Sequence, residues 1–154
     1  MRQIGIVAGL IGIMLAAGCA THVSVMQTHR EDLSAQSKVL AIAARNFEET
    51  VLRQRADASQ EEGARAVAAF HNEAEEFART AAQWLSDDNV NTSYERLIDA
   101  WVKVKKTFPN MKADSLAQDA YQRVAHEWER LARVSGYAGS AYQRKVEQDK
   151  TRSA

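Results

Sequence analysis

The chain has a single cysteine, a single proline and seven glycines in 154 residues. One cysteine excludes a disulfide within the chain, so the fold must stand on packing alone. One proline and few glycines leave little to interrupt regular structure, and the abundance of alanine, glutamate, arginine and glutamine favours helix. Twenty basic side chains balance twenty acidic ones, which gives no electrostatic footprint for nucleic acid or for a strongly anionic surface. No apolar run reaches the roughly 20 residues that a bilayer span needs. Signatures of catalysis are missing too. There is no Gly-x-Ser-x-Gly elbow, no glycine-rich phosphate loop and no Cys-x-x-Cys-His haem attachment. No enzyme activity and no cofactor are expected.

What is present begins at the first residue. Met1-Arg2-Gln3 is a short, positively charged start, and Ile4 to Leu15 is an apolar run broken only by glycines. These are the n-region and h-region of a secretory signal. The run stops at Leu15-Ala16-Ala17-Gly18-Cys19, which resembles the lipobox of bacterial lipoproteins. The resemblance covers about the first 19 residues. One position departs from the usual pattern: Ala16 stands where the family more often has leucine, which here falls one place earlier. The resemblance implies cleavage before Cys19 after a diacylglyceryl group has been placed on its sulfur, and attachment to a membrane through that lipid. It also implies sorting by the following residue. Ala20 is not the aspartate associated with inner-membrane retention, so the resemblance points to the outer membrane, facing the periplasm.

The chain then divides into a signal peptide, 1–18, a polar lipidated stretch, 19–31, read as a tether or as the frayed start of the first helix, a helical domain, 32–136, and a polar C-terminal tail, 137–154. Loss of Arg2 with the signal peptide leaves nineteen basic side chains against twenty acidic ones. Within the domain, apolar residues recur at helical spacing. Leu33, Leu40 and Phe47 stand seven apart, with Ala43, Ala44 and Val51 in the same stripe, predicting a first helix from about Asp32 to about Arg55. Ser59 and Glu62 have the spacing of a capping box. The second helix follows with Gly63, Val67, Phe70, Ala74, Phe77, Ala81 and Trp84 on one narrow face. Thr92 and Glu95 form another capping box. The third helix carries Tyr94, Leu97, Ile98, Trp101, Val104 and Phe108, and stops at Pro109. Its lysines, Lys103, Lys105 and Lys106, complement the negative end of the helix dipole. The fourth helix has Ala117, Ala120, Val124, Trp128, Leu131 and Val134, closed by Gly136, after which Tyr137 and Tyr142 can pack back onto the body. Four amphipathic helices with short turns predict an all-α fold, a four-helix bundle running up-down-up-down. Helical hairpins that pair in a homodimer are the competing arrangement.

Candidate ligands are sparse. His22, Met26 and His29 would share one helix face and offer imidazole and thioether to copper. Met26 and His126 have the chain order of a haem-binding bundle's axial pair, but His126 lies between Glu127 and Glu129 as a surface residue would. Acidic clusters at Glu48-Glu49, Glu61-Glu62, Glu73-Glu75-Glu76 and Asp87-Asp88 lack the Glu-x-x-His spacing of a di-iron site and read as solvated faces. Trp84, Trp101 and Trp128 fall one to a helix. Each either fills core or lines a pocket, and sequence leaves the two open. The expectation is therefore a lipid-anchored binding or scaffolding module of the cell envelope with a protein partner. Its alternative is a bundle that binds a small molecule or a metal, copper or haem.

Overall fold

The computed structural model describes the backbone of residues 14–54 and 60–135, and the side chains of 29–54 and 60–135. The described residues form four helices: α1 (Met14–Gln54), α2 (Glu61–Gln83), α3 (Asp87–Thr107) and α4 (Ser115–Ser135). A 3-10 turn, Phe108–Asn110, follows α3, with Pro109 where its missing N–H costs no helical bond. The described residues contain no strand. None of their helices is long and apolar enough to cross a membrane.

The stripes read from sequence are the faces that pack. Leu33, Leu40, Ala44, Phe47 and Val51 of α1 are buried, as are Val67, Phe70, Ala74, Phe77 and Ala81 of α2. Leu97, Ile98, Trp101 and Val104 of α3 meet Val124, Trp128 and Leu131 of α4 in the same core. Residue pairs give the sense of each packing. Arg45 and Glu48 of α1 reach Glu75 and His71 of α2, Phe77 and Phe70 of α2 meet Tyr94 and Trp101 of α3, and Gln36 of α1 reaches Glu127 of α4. The α1–α2 and α2–α3 pairs therefore run antiparallel, in an all-α helical bundle.

A ladder of rings joins α3 to α4. Tyr94 and Trp101 of α3 and Phe108 of the turn after it stand seven apart, as do Tyr121 and Trp128 on α4, so the two rows interleave. Tyr94 stacks on Trp128 at 6.2 Å and 1°, Trp128 on Trp101 at 5.8 Å, Trp101 on Tyr121 at 5.6 Å, and Tyr121 on Phe108 at 4.6 Å. Phe47 of α1 closes the ladder edge-on to Phe108 at 5.1 Å. Offset stacking adds about 0.5–1.5 kcal/mol per pair beyond the area buried. The rings also hold the backbones of α3 and α4 farther apart than those of the other neighbouring pairs.

Two helix starts differ from expectation. α1 starts at Met14, so the backbone of segment 19–31 is helical and continuous with the domain. α2 is entered from Gln60, which makes no side-chain cap; Ser59, Arg55 and Gly136 lie outside the described residues, as do Tyr137 and Tyr142. α3 starts five residues before the box at Thr92. Its cap is Ser86, in extended conformation at φ −158° and ψ 159°, whose hydroxyl accepts from the Asn89 N–H at 3.2 Å. Asp87 and Asp88 then occupy the first turn, where their charge opposes the positive end of the dipole. Thr92 is an exposed residue inside the helix. Ser86→Ala is expected to cost about 1 kcal/mol and Thr92→Ala almost nothing, measured by urea unfolding. Equal effects at both positions would place the cap elsewhere. α4 is capped by Asp114, whose Oδ1 accepts from the Ala117 N–H at 2.9 Å.

Candidate functional site

The polar residues facing the inter-helix seams are paired more closely than solvated faces would be. On the α1–α2 seam, His71 Nδ1 lies 2.5 Å from Glu48 Oε2, and its side chain is 13% exposed. With a carboxylate accepting, Nδ1 carries the hydrogen. Nε2 faces Glu75 Oε1 at 3.1 Å, out of line for a hydrogen bond, and Glu75 is in turn bonded by Arg45. The Arg45 guanidinium holds the Glu75 carboxyl below the usual carboxylate range. Glu73 of α2 meets Arg96 of α3 at 3.4 Å. Buried Gln36 donates to Glu127 Oε2 at 2.8 Å, tying α1 to α4. The expectation of solvated acidic faces is thus corrected for Glu48 and Glu73, while Glu75 remains solvated in its pair with Arg45. Register between helices, which single-helix spacing does not carry, decides which charge meets which.

The residues proposed for metal are placed as follows. α1 is helical from 14 to 54, so positions 22, 26 and 29 share a face of its backbone. The side chains of Cys19, His22 and Met26 lie outside the described residues. His29 is exposed at the bundle end, and His126 is exposed on α4. Among the described residues no three His, Cys, Asp or Glu side chains are grouped as metal ligands would be.

Two concave surfaces stand out. The first is a groove of about 710 Å³ between α1 and α4, on the outside of the bundle. Its apolar part is Val39 and Ile42 of α1 and Leu116 of α4, exposed by 42%, 60% and 66%. Its rim is polar, with Asn46, Glu49, Arg53 and Arg123. These residues form a second stripe on α1: Ala35, Val39, Ile42, Asn46, Glu49 and Arg53 repeat at four and three, and all are exposed. α1 is therefore apolar on two faces at the level of Val39 and Ile42. Sequence reading missed the outer face because the longer inner stripe accounts for the helical period by itself.

The second is a cavity of about 410 Å³ at the end of the bundle from which α1 continues toward its N-terminus. Leu33, Phe77, Val90 and Tyr94 form its walls, and His29, Arg30, Asp87 and Asn91 stand around it. Trp84 also lines it. This residue ends α2 in the left-handed conformation, φ 41° and ψ 59°, with its N–H bonded to Thr80 O. Helices commonly close this way with glycine, because a side chain there costs about 1–2 kcal/mol. The indole is held on two sides: Nε1 donates to Asp87 Oδ1 at 2.8 Å, and the Arg30 guanidinium lies 4.9 Å over the ring. The question left open for the tryptophans divides. Trp101 and Trp128 fill core, and Trp84 lines space.

No protein-family model, no curated protein and no solved structure matches this chain.

Proposed function

We propose that the chain is a lipid-anchored lipoprotein of the bacterial envelope whose bundle is a binding and scaffolding module, with no catalytic role. Lipid on Cys19 fixes it to a membrane, the outer one facing the periplasm, and the α1–α4 groove takes an amphipathic helix of a partner protein. The observation that carries the binding role is the exposed set Val39, Ile42 and Leu116. Isolated exposed apolar residues are ordinary. Two on one helix at i and i+3, joined by a third across a groove and rimmed by both signs of charge, offer what a helix-in-groove contact uses.

A photo-crosslinking residue at Ile42, in living cells, is expected to give one discrete adduct. The same probe at Glu95, exposed on α3, is expected to give none. Leu116→Asp should weaken the adduct at Ile42 by about tenfold, as loss of a central apolar anchor does. A diffuse ladder of adducts at Ile42, or an adduct indifferent to Leu116→Asp, would overturn the proposal. An adduct of twice the chain mass would identify the occupant as a second copy, the homodimer that the sequence also allows.

A further inference from the structure

The cavity at the end of the bundle has a chemistry of its own, separate from the groove. Its interior is aliphatic and aromatic: Leu33, Val90, Phe77 and the rings of Tyr94 and Trp84. Several buried polar atoms of this protein have no hydrogen-bond partner, namely Gln54 Nε2, His71 Nε2, Glu73 Oε2 and Ser93 Oγ. None of these four residues lines the cavity. Two hydroxyls line it, those of Tyr94 and Ser135, and they lie 3.4 Å apart, hydrogen-bonded to each other. A ligand carrying polar groups into this space would leave them without partners, at a cost of about 1–3 kcal/mol each. An apolar tail would not.

The rim has a different character. Arg30 stands there with its guanidinium over the Trp84 face, and a guanidinium held by its face keeps its in-plane N–H donors for an anion. Asp87 is the opposing charge, and it is engaged by the Trp84 indole N–H. Trp84 is thus kept in a strained backbone conformation where glycine would do, and its ring both walls the cavity and seats the cation at its mouth. Strain held in this way at a concave surface marks a position kept for something other than stability. The volume, about 410 Å³, is in the range of small-molecule sites, roughly 300–1,000 Å³.

We infer that this cavity binds a single-chain anionic amphiphile, with the hydrocarbon tail between Leu33, Phe77, Val90 and Trp84 and the acidic head at Arg30. The site stands independently of the groove and of the anchor.

The test uses the full chain carrying Cys19→Ser, so that ligand added in solution is the one source of acyl chains. The probe is cis-parinarate, whose polyene fluoresces in an apolar site. Saturable binding at one per chain is expected, with the methyl ester bound about threefold more weakly than the carboxylate, the worth of an exposed ion pair. Arg30→Gln should bring acid and ester to equal affinity. Val90→Phe, which fills the cavity from α3, should weaken binding of both about tenfold, the scale of an overpacked site. Any uptake by the apolar residues 1–18 is common to all these proteins. Non-saturable binding overturns the inference, as does wild-type affinity in a Val90→Phe protein that melts normally. If Val90→Phe destabilises the fold, Arg30→Gln decides: a persisting difference between acid and ester in that variant also overturns it.

Discussion

Trp101→Ala is expected to lower the free energy of unfolding by about 3–5 kcal/mol, the range for removing a fully packed large aromatic. Trp101 is 2% exposed and lies 5.1 Å from Phe70, 5.6 Å from Tyr121 and 5.8 Å from Trp128. Its loss opens space against three rings at once, and the neighbours cannot close it, because the ladder is what sets the spacing of α3 from α4. Domains of this size are stable by about 5–15 kcal/mol in all, so the variant should be close to the limit of folding. Thermal unfolding followed by far-ultraviolet circular dichroism should show a midpoint lowered by roughly 10–25 °C. A loss under about 1 kcal/mol would mean that the ring sits in a loose or hydrated site. Trp84→Gly is the informative comparison. It removes an aromatic of the same size, yet relief of the left-handed backbone offsets the lost contacts with Arg30 and Asp87, and the change should be far smaller.

The second large effect is all or none. Cys19→Ser is expected to abolish both lipid attachment and removal of residues 1–18, because in lipobox-type processing the sulfur is alkylated before the chain is cut. Metabolic labelling with a fatty acid should mark the wild-type protein and leave the variant unmarked. Intact mass should give a wild-type chain that begins at Cys19 and carries acyl groups, whereas the variant keeps all 154 residues. A wild-type protein recovered at the unmodified 17.1 kDa would remove the anchor from the proposed function and leave the groove and the cavity standing. Two or three chains, each contributing about 0.8 kcal/mol per buried methylene, make an attachment that does not dissociate on the scale of cell growth.

How much of this was legible depended on whether a feature belongs to one helix or to several. Leu33, Leu40 and Phe47, or Val67, Phe70, Ala74 and Phe77, reveal their burial by spacing, because a helix that must hide one face repeats its apolar residues with the helical period. The start of α3 was expected at Thr92 because Thr92 and Glu95 have the spacing of a capping box, which Ser86 and Asn89 lack. Only the extended backbone at Ser86 reveals the cap. The aromatic ladder had a readable signal in the seven-residue intervals Tyr94-Trp101-Phe108 and Tyr121-Trp128, though not in the fact that the two rows would interleave. The Glu48–His71 and Glu73–Arg96 pairs had none, since each joins residues on different helices.

The candidate surfaces were hidden for a related reason. Val39 and Ile42 look like core residues in a chain this rich in helix, and their exposure follows from which side of α1 receives α2 and α4. The cavity is built from the middle of α1, the ends of α2 and α4 and the start of α3, and from one tryptophan in a conformation that no propensity favours. By itself the sequence determined the helical class and the inward stripes, which rest on local spacing and composition, as does the lipobox resemblance from which the anchor is proposed. The tertiary structure alone decided the charge pairs, the outer groove and the cavity, because each depends on the register and separation of helices, which the bulk of the buried rings sets.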